Sequence, residues 1–259
     1  MNGIGTWNLV LYLIDKLGVG GTPAAMAITM GGILLCMIIP YLLGSMNFGV
    51  MISRRRFHDD VRTHGSGNAG ATNMLRTYGW KAAVLTMAGD MLKAVVAVGL
   101  GYLIVGVNAQ VTYDNGVTYP VVDQFGAAIA GLFVMLGHMF PIFFKFKGGK
   151  GVATSGVVIF MISPPTGVIC LACFILVVIG TRYVSLGSVM GLIFYPIVLN
   201  AFSHAYDPPR NSTACMIAVL MAVLVVLMHR ENLKRIVNRT ESKISFKKKT
   251  PPPAEGGEA

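Results

Sequence analysis

Seven apolar stretches, at about 28–52, 82–106, 124–144, 152–164, 166–181, 185–203 and 213–228, leave this chain little choice of solvent. Each is continuously apolar rather than alternating, so it reads as a helix and not as a strand of a membrane barrel. Only 12% of the 259 residues are charged against 54% hydrophobic, too few charges to keep a soluble domain of this size in solution. The fourth and fifth stretches are short and meet at Pro164-Pro165. They are two short spans or one broken hairpin, so seven spans are expected, with five or six as fallbacks. The expected fold is an all-α polytopic membrane protein with about seven transmembrane helices.

The net charge of +10 is distributed unevenly. With the N-terminus outside and seven spans, the cytoplasmic segments hold Arg54, Arg55, Arg56, Arg62, Arg76, Lys81, Lys145, Lys147, Lys150, Arg182 and the basic tail. The opposite face holds Lys16 and Arg210, and Lys93 lies within a span. This positive-inside asymmetry predicts a cytoplasmic C-terminus. Contact with anionic headgroups accounts for most of these charges, and no basic-aromatic module suggests a nucleic-acid partner. Residues 1–22 carry one basic residue, Lys16, so no cleavable signal peptide is expected, and residues 7–14 read as a short interfacial segment. Cys36, Cys170, Cys173 and Cys215 fall within apolar stretches and read as small buried hydrophobes, not as metal ligands or nucleophiles. Residues 1–241 read as one membrane domain, and 242–259 as a basic, proline-containing disordered cytoplasmic tail.

Three polar stretches carry the chemistry, all on the cytoplasmic side in this topology. Gly65-Ser66-Gly67-Asn68-Ala69-Gly70-Ala71-Thr72-Asn73-Met74-Leu75-Arg76 offers hydroxyls, amides and backbone N–H groups to phosphate oxygens. On a helix Thr72 and Arg76 share a face, and Arg76 can grip two oxygens at once. Lys145-Phe146-Lys147-Gly148-Gly149-Lys150-Gly151 joins two apolar stretches. It is no Walker loop, because Phe144 stands five before Gly149 and Gly151 follows the lysine, so ATP is not implied. Its glycines suggest a nest of N–H groups leading into a helix that begins near Val152, with Lys150 as the better ligand candidate and Lys145 and Lys147 either further ligands or snorkelling to headgroups. In the third stretch, His229 and Asn232 lie three apart on one helical face, able to reach one substrate. Asp90 and Lys93 are spaced for a pair within the second span, functional or structural, and His138 suits a helix-end hydrogen bond.

Several motifs are missing. No histidine is followed five residues later by aspartate, which argues against the common acyl-CoA-dependent glycerolipid acyltransferases. Neither a Gly-x-Ser-x-Gly elbow nor a His-Glu-x-x-His zinc motif occurs, and no metal cluster is evident.

Gly65–Arg76, Gly137–Thr154 and His229–Glu241 resemble, in order and spacing, the three cytoplasmic motifs of the bacterial membrane acyl-phosphate:glycerol-3-phosphate acyltransferases, the PlsY family. Tyr41–Gly49 is similar to that family's first span, and the resemblance covers nearly all of residues 30–241. It implies acylation of the 1-hydroxyl of sn-glycerol 3-phosphate by acyl phosphate, giving lysophosphatidic acid and inorganic phosphate without a cofactor. It also implies a multi-pass enzyme of the bacterial cytoplasmic (inner) membrane with its active site at the cytoplasmic face; a monomer is expected. By the same resemblance Ser66, Arg76, His229 and Asn232 are the catalytic candidates. Asn68, Thr72, Asn73, Gly148, Gly149, Lys150 and Gly151 are the substrate-binding candidates, and Glu241 has a structural role. One departure stands out: the family's usual glycine two before that glutamate is Arg239 here. The rival reading is a transporter of organic phosphates, against which stand the one-sided motifs and the absence of a repeat between halves.

Overall fold

The computed structural model describes residues 8–112, 118–206 and 212–244. The chain begins with α1 (Leu9–Lys16), capped by the Asn8 side chain, then α2 (Pro23–Ser45), with Thr22 as N-cap and Pro23 in the first turn. Met46 and Asn47 break the helix, and Asn47 caps α3 (Phe48–Phe57), whose last turn carries Arg54, Arg55 and Arg56. The short amphipathic α4 (Ala71–Tyr78) is followed across Gly79 by the long α5 (Trp80–Val105). An antiparallel hairpin, β1 (Val107–Thr112) and β2 (Thr118–Asp123), departs from the expected all-helical chain. There follow α6 (Phe125–Met139), α7 (Val152–Ile162), α8 (Pro164–Thr181), α9 (Val184–Tyr206), α10 (Ser212–Met228) and α11 (Arg230–Val237). The expected tail lies outside the described residues from 245 onward, as do Asp114 and Asn115 and the 207–211 connection.

Among the described residues, five helical segments are long and apolar enough to cross a membrane: Pro23–Phe57, Trp80–Val105, Phe125–Phe144, Pro164–Thr181 and Val184–Phe202. A sixth is Thr213–Met228 taken with Arg230–Val237, bent by 55°. By length alone the count is therefore five or six, the fallback numbers. The 152–164 stretch yields only 11 residues of helix, α7, or about 16 Å against a hydrocarbon core of about 30 Å.

The loop before α7 explains its shortness. Instead of leaving the bundle, the chain folds back onto the end of α6, where Gly148 N–H donates to Met139 O (3.2 Å) and Gly149 N–H to His138 O (3.0 Å). The far end of α7 stands level with the ends of α5 and α6, since Tyr102 Oη donates to Met161 O (3.0 Å) and Gln124 Nε2 to Ile162 O (2.6 Å). Hydropathy registers the apolar length of a segment but not the depth at which it starts.

The core is built of small and medium side chains from α5, α6, α7, α9 and α10, among them Ala94, Ala97, Val134, Val158, Leu199 and Ala218. Outward faces carry large apolar residues such as Met26, Leu92, Leu176 and Met216, the inversion expected where lipid replaces water. Between α2 and α6 the backbones come into contact, and a Cβ at Gly137 would run into Tyr41 O.

Candidate active site

The 61–76 segment is shaped by one buried amide. Asn73 donates to Val61 O (2.9 Å) and His64 O (3.0 Å), while its Oδ1 accepts from Ser66 N–H (3.1 Å). Asn73, expected to bind substrate, is thus committed to holding the loop. The Ser66 hydroxyl stays exposed on the cavity wall, with Asn68 nearby. The loop delivers the chain to Gly70, from which α4 starts without a side-chain cap. Thr72 and Arg76 both line the cavity, as their spacing predicted. Arg76 is exposed and, among the described residues, makes no hydrogen bond or ion pair within the protein. Its five donors are available to a ligand.

A second helix start meets the first. Gly151 is the N-cap of α7 at φ +77°, again without a side-chain cap, and Gly151, Val152 and Ala153 line the same cavity. The first turns of α4 and α7 therefore both present N–H groups lacking intrahelical partners, the arrangement that binds anions at helix N-termini. The expectation that Gly148 and Gly149 supply such N–H groups is corrected. Theirs are spent on His138 and Met139 carbonyls, and neither glycine is among the lining residues. They permit close approach instead, since a Cβ at Gly149 would overlap the His138 ring. Lys145 and Lys147 are exposed and are not among the lining residues, which favours snorkelling over a ligand role.

Lys150 reaches the cavity and donates to Asn232 Oδ1. Burial pushes its pKa down to about 8; the Glu241 charge opposes the shift, and the cations Arg235 and Arg76 add to it. Asn232 is oriented by Glu241, whose Oε1 accepts from Asn232 Nδ2 (2.6 Å) and Ser185 Oγ (2.9 Å) and whose Oε2 accepts from Arg235 Nε (2.7 Å). Burial opposes ionisation of this carboxyl, but the three hydrogen bonds outweigh it and hold its pKa below the usual range. His229 sits at the bend between α10 and α11, buried beside Asn232 on the cavity wall. Its Nδ1 lies 2.8 Å from Val225 O, an acceptor only. Nδ1 therefore carries the proton, and the neutral ring keeps its lone pair on Nε2.

Two further groups emerge that the sequence alone did not place at the site. Ser185 and Ser188, at the start of α9, line the cavity within a stretch that read as plain apolar span; a serine pair at i, i+3 was the available signal. Arg62 ties the first loop to the second. It donates to Phe144 O (3.0 Å) and Lys147 O (2.9 Å) and is anchored by Asp60 (2.7 Å). At the cavity wall, where Asp90 and His138 are lining residues, Lys93 Nζ pairs with Asp90 (2.8 Å) and donates to Gly44 O (2.8 Å) and Met46 O (2.9 Å), with His138 Nδ1 at 3.1 Å. The expected Asp90–Lys93 pair is formed, and it joins α2, α5 and α6 beneath the glycine loop.

The cavity encloses about 1000 Å³. Its polar end gathers Ser66, Arg76, Lys150, His229 and Asn232. Its other arm is apolar, walled by Met91, Val95, Val157, Phe160, Phe174 and Leu192 from α5, α7, α8 and α9. Among the described residues, no group of three or more His, Cys, Asp or Glu side chains is placed to hold a metal ion.

Fold and cavity together define a helical integral-membrane enzyme with an anion-binding end and an apolar arm. The chain belongs to the glycerol-3-phosphate acyltransferase family, whose model matches residues 34–239. A glycerol-3-phosphate acyltransferase of Thermoanaerobacter sp. (strain X514) is 41% identical over 214 residues, covering 82% of this chain and 96% of the relative. That of Bacillus subtilis (strain 168) is 37% identical over 214 residues, covering 83% and 98%. The structure also resembles the crystal structure of PlsY (YgiH), an integral membrane glycerol 3-phosphate acyltransferase, in its glycerol 3-phosphate form. The TM-score is 0.69 at 32% identity, over 82% of this chain and 96% of the other. The lysophosphatidic acid form of the same protein gives a TM-score of 0.66 at 31% identity.

Proposed function

We propose that this protein transfers a fatty acyl group from acyl phosphate to the 1-hydroxyl of sn-glycerol 3-phosphate, releasing lysophosphatidic acid and inorganic phosphate. One observation carries this reading: two uncapped helix N-termini, Arg76 and Lys150 converge at the end of a cavity whose other arm is apolar. Both substrates bear phosphate, and bringing two anions together in a partly dehydrated site is the main obstacle to the reaction. Fixed donors and cations offset that repulsion without reorganising during the reaction. The apolar arm would take the acyl chain from the bilayer.

Acyl phosphate is a mixed anhydride, so no covalent enzyme intermediate is needed. The glycerol oxygen forms the new ester bond to the acyl carbon, the acyl–O(phosphate) bond breaks, and phosphate leaves with the electron pair. The hydroxyl proton goes to His229 Nε2 or to the departing phosphate. If it goes to His229, the kcat of His229→Ala falls roughly 100-fold or more; a loss below about tenfold assigns the proton to phosphate.

Ser66 and Asn68 would add hydrogen bonds to the phosphates, with Thr72 beside them, and Asn232 would fix the Lys150 ammonium. The active unit would be a monomer. The concentration of Arg and Lys at the cavity end supports a bacterial inner-membrane enzyme with its site at the cytoplasmic face. Seven crossings follow if the recessed α7 counts as one, with the N-terminus outside and the C-terminus in the cytoplasm. An impermeant maleimide should then label Ser242→Cys, in a protein stripped of its native cysteines, only from the cytoplasmic side. Labelling from the other side would invert the topology.

The function itself is tested with purified protein in lipid, given glycerol 3-phosphate and either palmitoyl phosphate or palmitoyl-CoA. Lysophosphatidic acid should form with equimolar phosphate release from acyl phosphate alone, and Arg76→Ala should lose it. Product formed equally well from the CoA thioester would refute the donor assignment.

A further inference from the structure

A second cavity, of about 330 Å³, opens on the far side of the 141–147 segment and is lined by Met46, Met51, Arg54, Arg55, Phe143 and Phe144. It shares no lining residue with the catalytic cavity. Two guanidiniums and four apolar side chains make its wall. Arg54 lies 5.7 Å from the centre of the Phe144 ring, which holds the guanidinium over an aromatic face. One of its N–H groups is given to Asp60 (3.0 Å), leaving donors for a ligand. Asp60 is meanwhile shared with Arg62, the residue that clamps the catalytic loop. Phe143 is 58% and Ile142 49% exposed, an apolar rim directly beside the three arginines of α3.

We propose that this cavity is a binding site for the headgroup of an anionic phospholipid of the surrounding bilayer, separate from the catalytic centre. The charge and the shape both point to this class of ligand. A phosphate is matched by Arg54 and Arg55, which can each grip two of its oxygens. Free phosphate would gain nothing from Met46, Met51 and Phe143, whereas the first methylenes of a lipid chain would cover them. The cavity also lies where a lipid can enter it sideways, because Met46 caps the C-terminus of α2 and Phe143 stands one residue before the end of the third apolar segment. The volume admits a headgroup and the start of its chains, not a whole lipid. Transfer of Arg54 to a lipid phosphate leaves Asp60 to Arg62 alone. Binding therefore preserves the clamp on the Phe144 and Lys147 carbonyls.

The test is native mass spectrometry of the full chain in neutral detergent, titrated with phosphatidylglycerol or phosphatidylcholine while saturating glycerol 3-phosphate occupies the catalytic site. Phosphatidylglycerol should bind in preference to phosphatidylcholine, and Arg54→Gln/Arg55→Gln should weaken it at least tenfold. Because Arg54 also contacts Asp60, Arg55→Gln alone serves as the milder variant and should weaken binding severalfold with the KM for glycerol 3-phosphate unchanged. Binding that survives both arginine changes overturns the proposal. So does binding abolished by Arg76→Ala, which would place the lipid in the catalytic cavity, and so does displacement by inorganic phosphate alone.

Discussion

Arg239 ends the turn after α11 at φ +59°, in the left-handed region where glycine is at ease. The turn needs that conformation, because Arg239 N–H returns to Ile236 O and Thr240 N–H to Arg235 O, and this closure aims Glu241 at Asn232. A side chain there costs roughly 1–2 kcal/mol, partly recovered through the stiffer unfolded chain. Arg239→Gly should therefore stabilise the protein by up to about 1 kcal/mol, read as a higher unfolding temperature in detergent; an unchanged or lower temperature would show that the turn is unstrained. Lys150 gives a pH prediction. With its pKa lowered to about 8, it is protonated at neutral pH and loses its charge as pH rises through that value. The KM for the anionic glycerol 3-phosphate should rise severalfold between pH 7 and pH 9.5, roughly tracking loss of a charge-assisted bond. Lys150→Met should show a raised KM at every pH and no such rise.

At the level of elements, the site is two helix beginnings and one helix bend held in register by loops. The start of α7 depends on Gly151, where a Cβ would lie 2.6 Å from Met139 Cε and 2.9 Å from Met135 Cγ on a left-handed backbone. Gly151→Ala should leave the protein folded but displace the first N–H groups of α7. A shift of even about 1 Å can lower kcat/KM by roughly a hundredfold, so a loss of at least tenfold is expected. Retained activity would remove α7 from the phosphate site. These helix starts were legible in the sequence, because Thr72 and Arg76 recur at helical spacing and glycine precedes Val152. The use of Gly148 and Gly149 was not, since whether an N–H meets an anion or a carbonyl depends on a chain segment elsewhere. Ser185 was hidden for a related reason: with Ser188 it sits in an otherwise apolar stretch, and it gains meaning only when Glu241 arrives from 56 residues away.

At the scale of the molecule, the membrane class and the one-sided placement of the chemistry follow from apolar length and charge, both local properties of the chain. Depth does not. The back-folded loop recesses the site into the bundle, shortens α7 and sets the phosphate end beside an apolar arm, so one cavity can serve a polar and a lipid substrate. Arg62 and the Asp90–Lys93–His138 cluster brace this arrangement from two sides, the latter with a buried pair whose rupture would strand a charge. Lys150 and the helix termini are expected to hold glycerol 3-phosphate before any acyl donor is present. Calorimetric titration of glycerol 3-phosphate into the donor-free protein at pH 7, beside Lys150→Met, tests it most directly. Loss of one charge-assisted contact worth about 1.5–3 kcal/mol predicts binding weakened roughly 10- to 100-fold. Equal affinity in the two proteins would remove Lys150 from the glycerol 3-phosphate site.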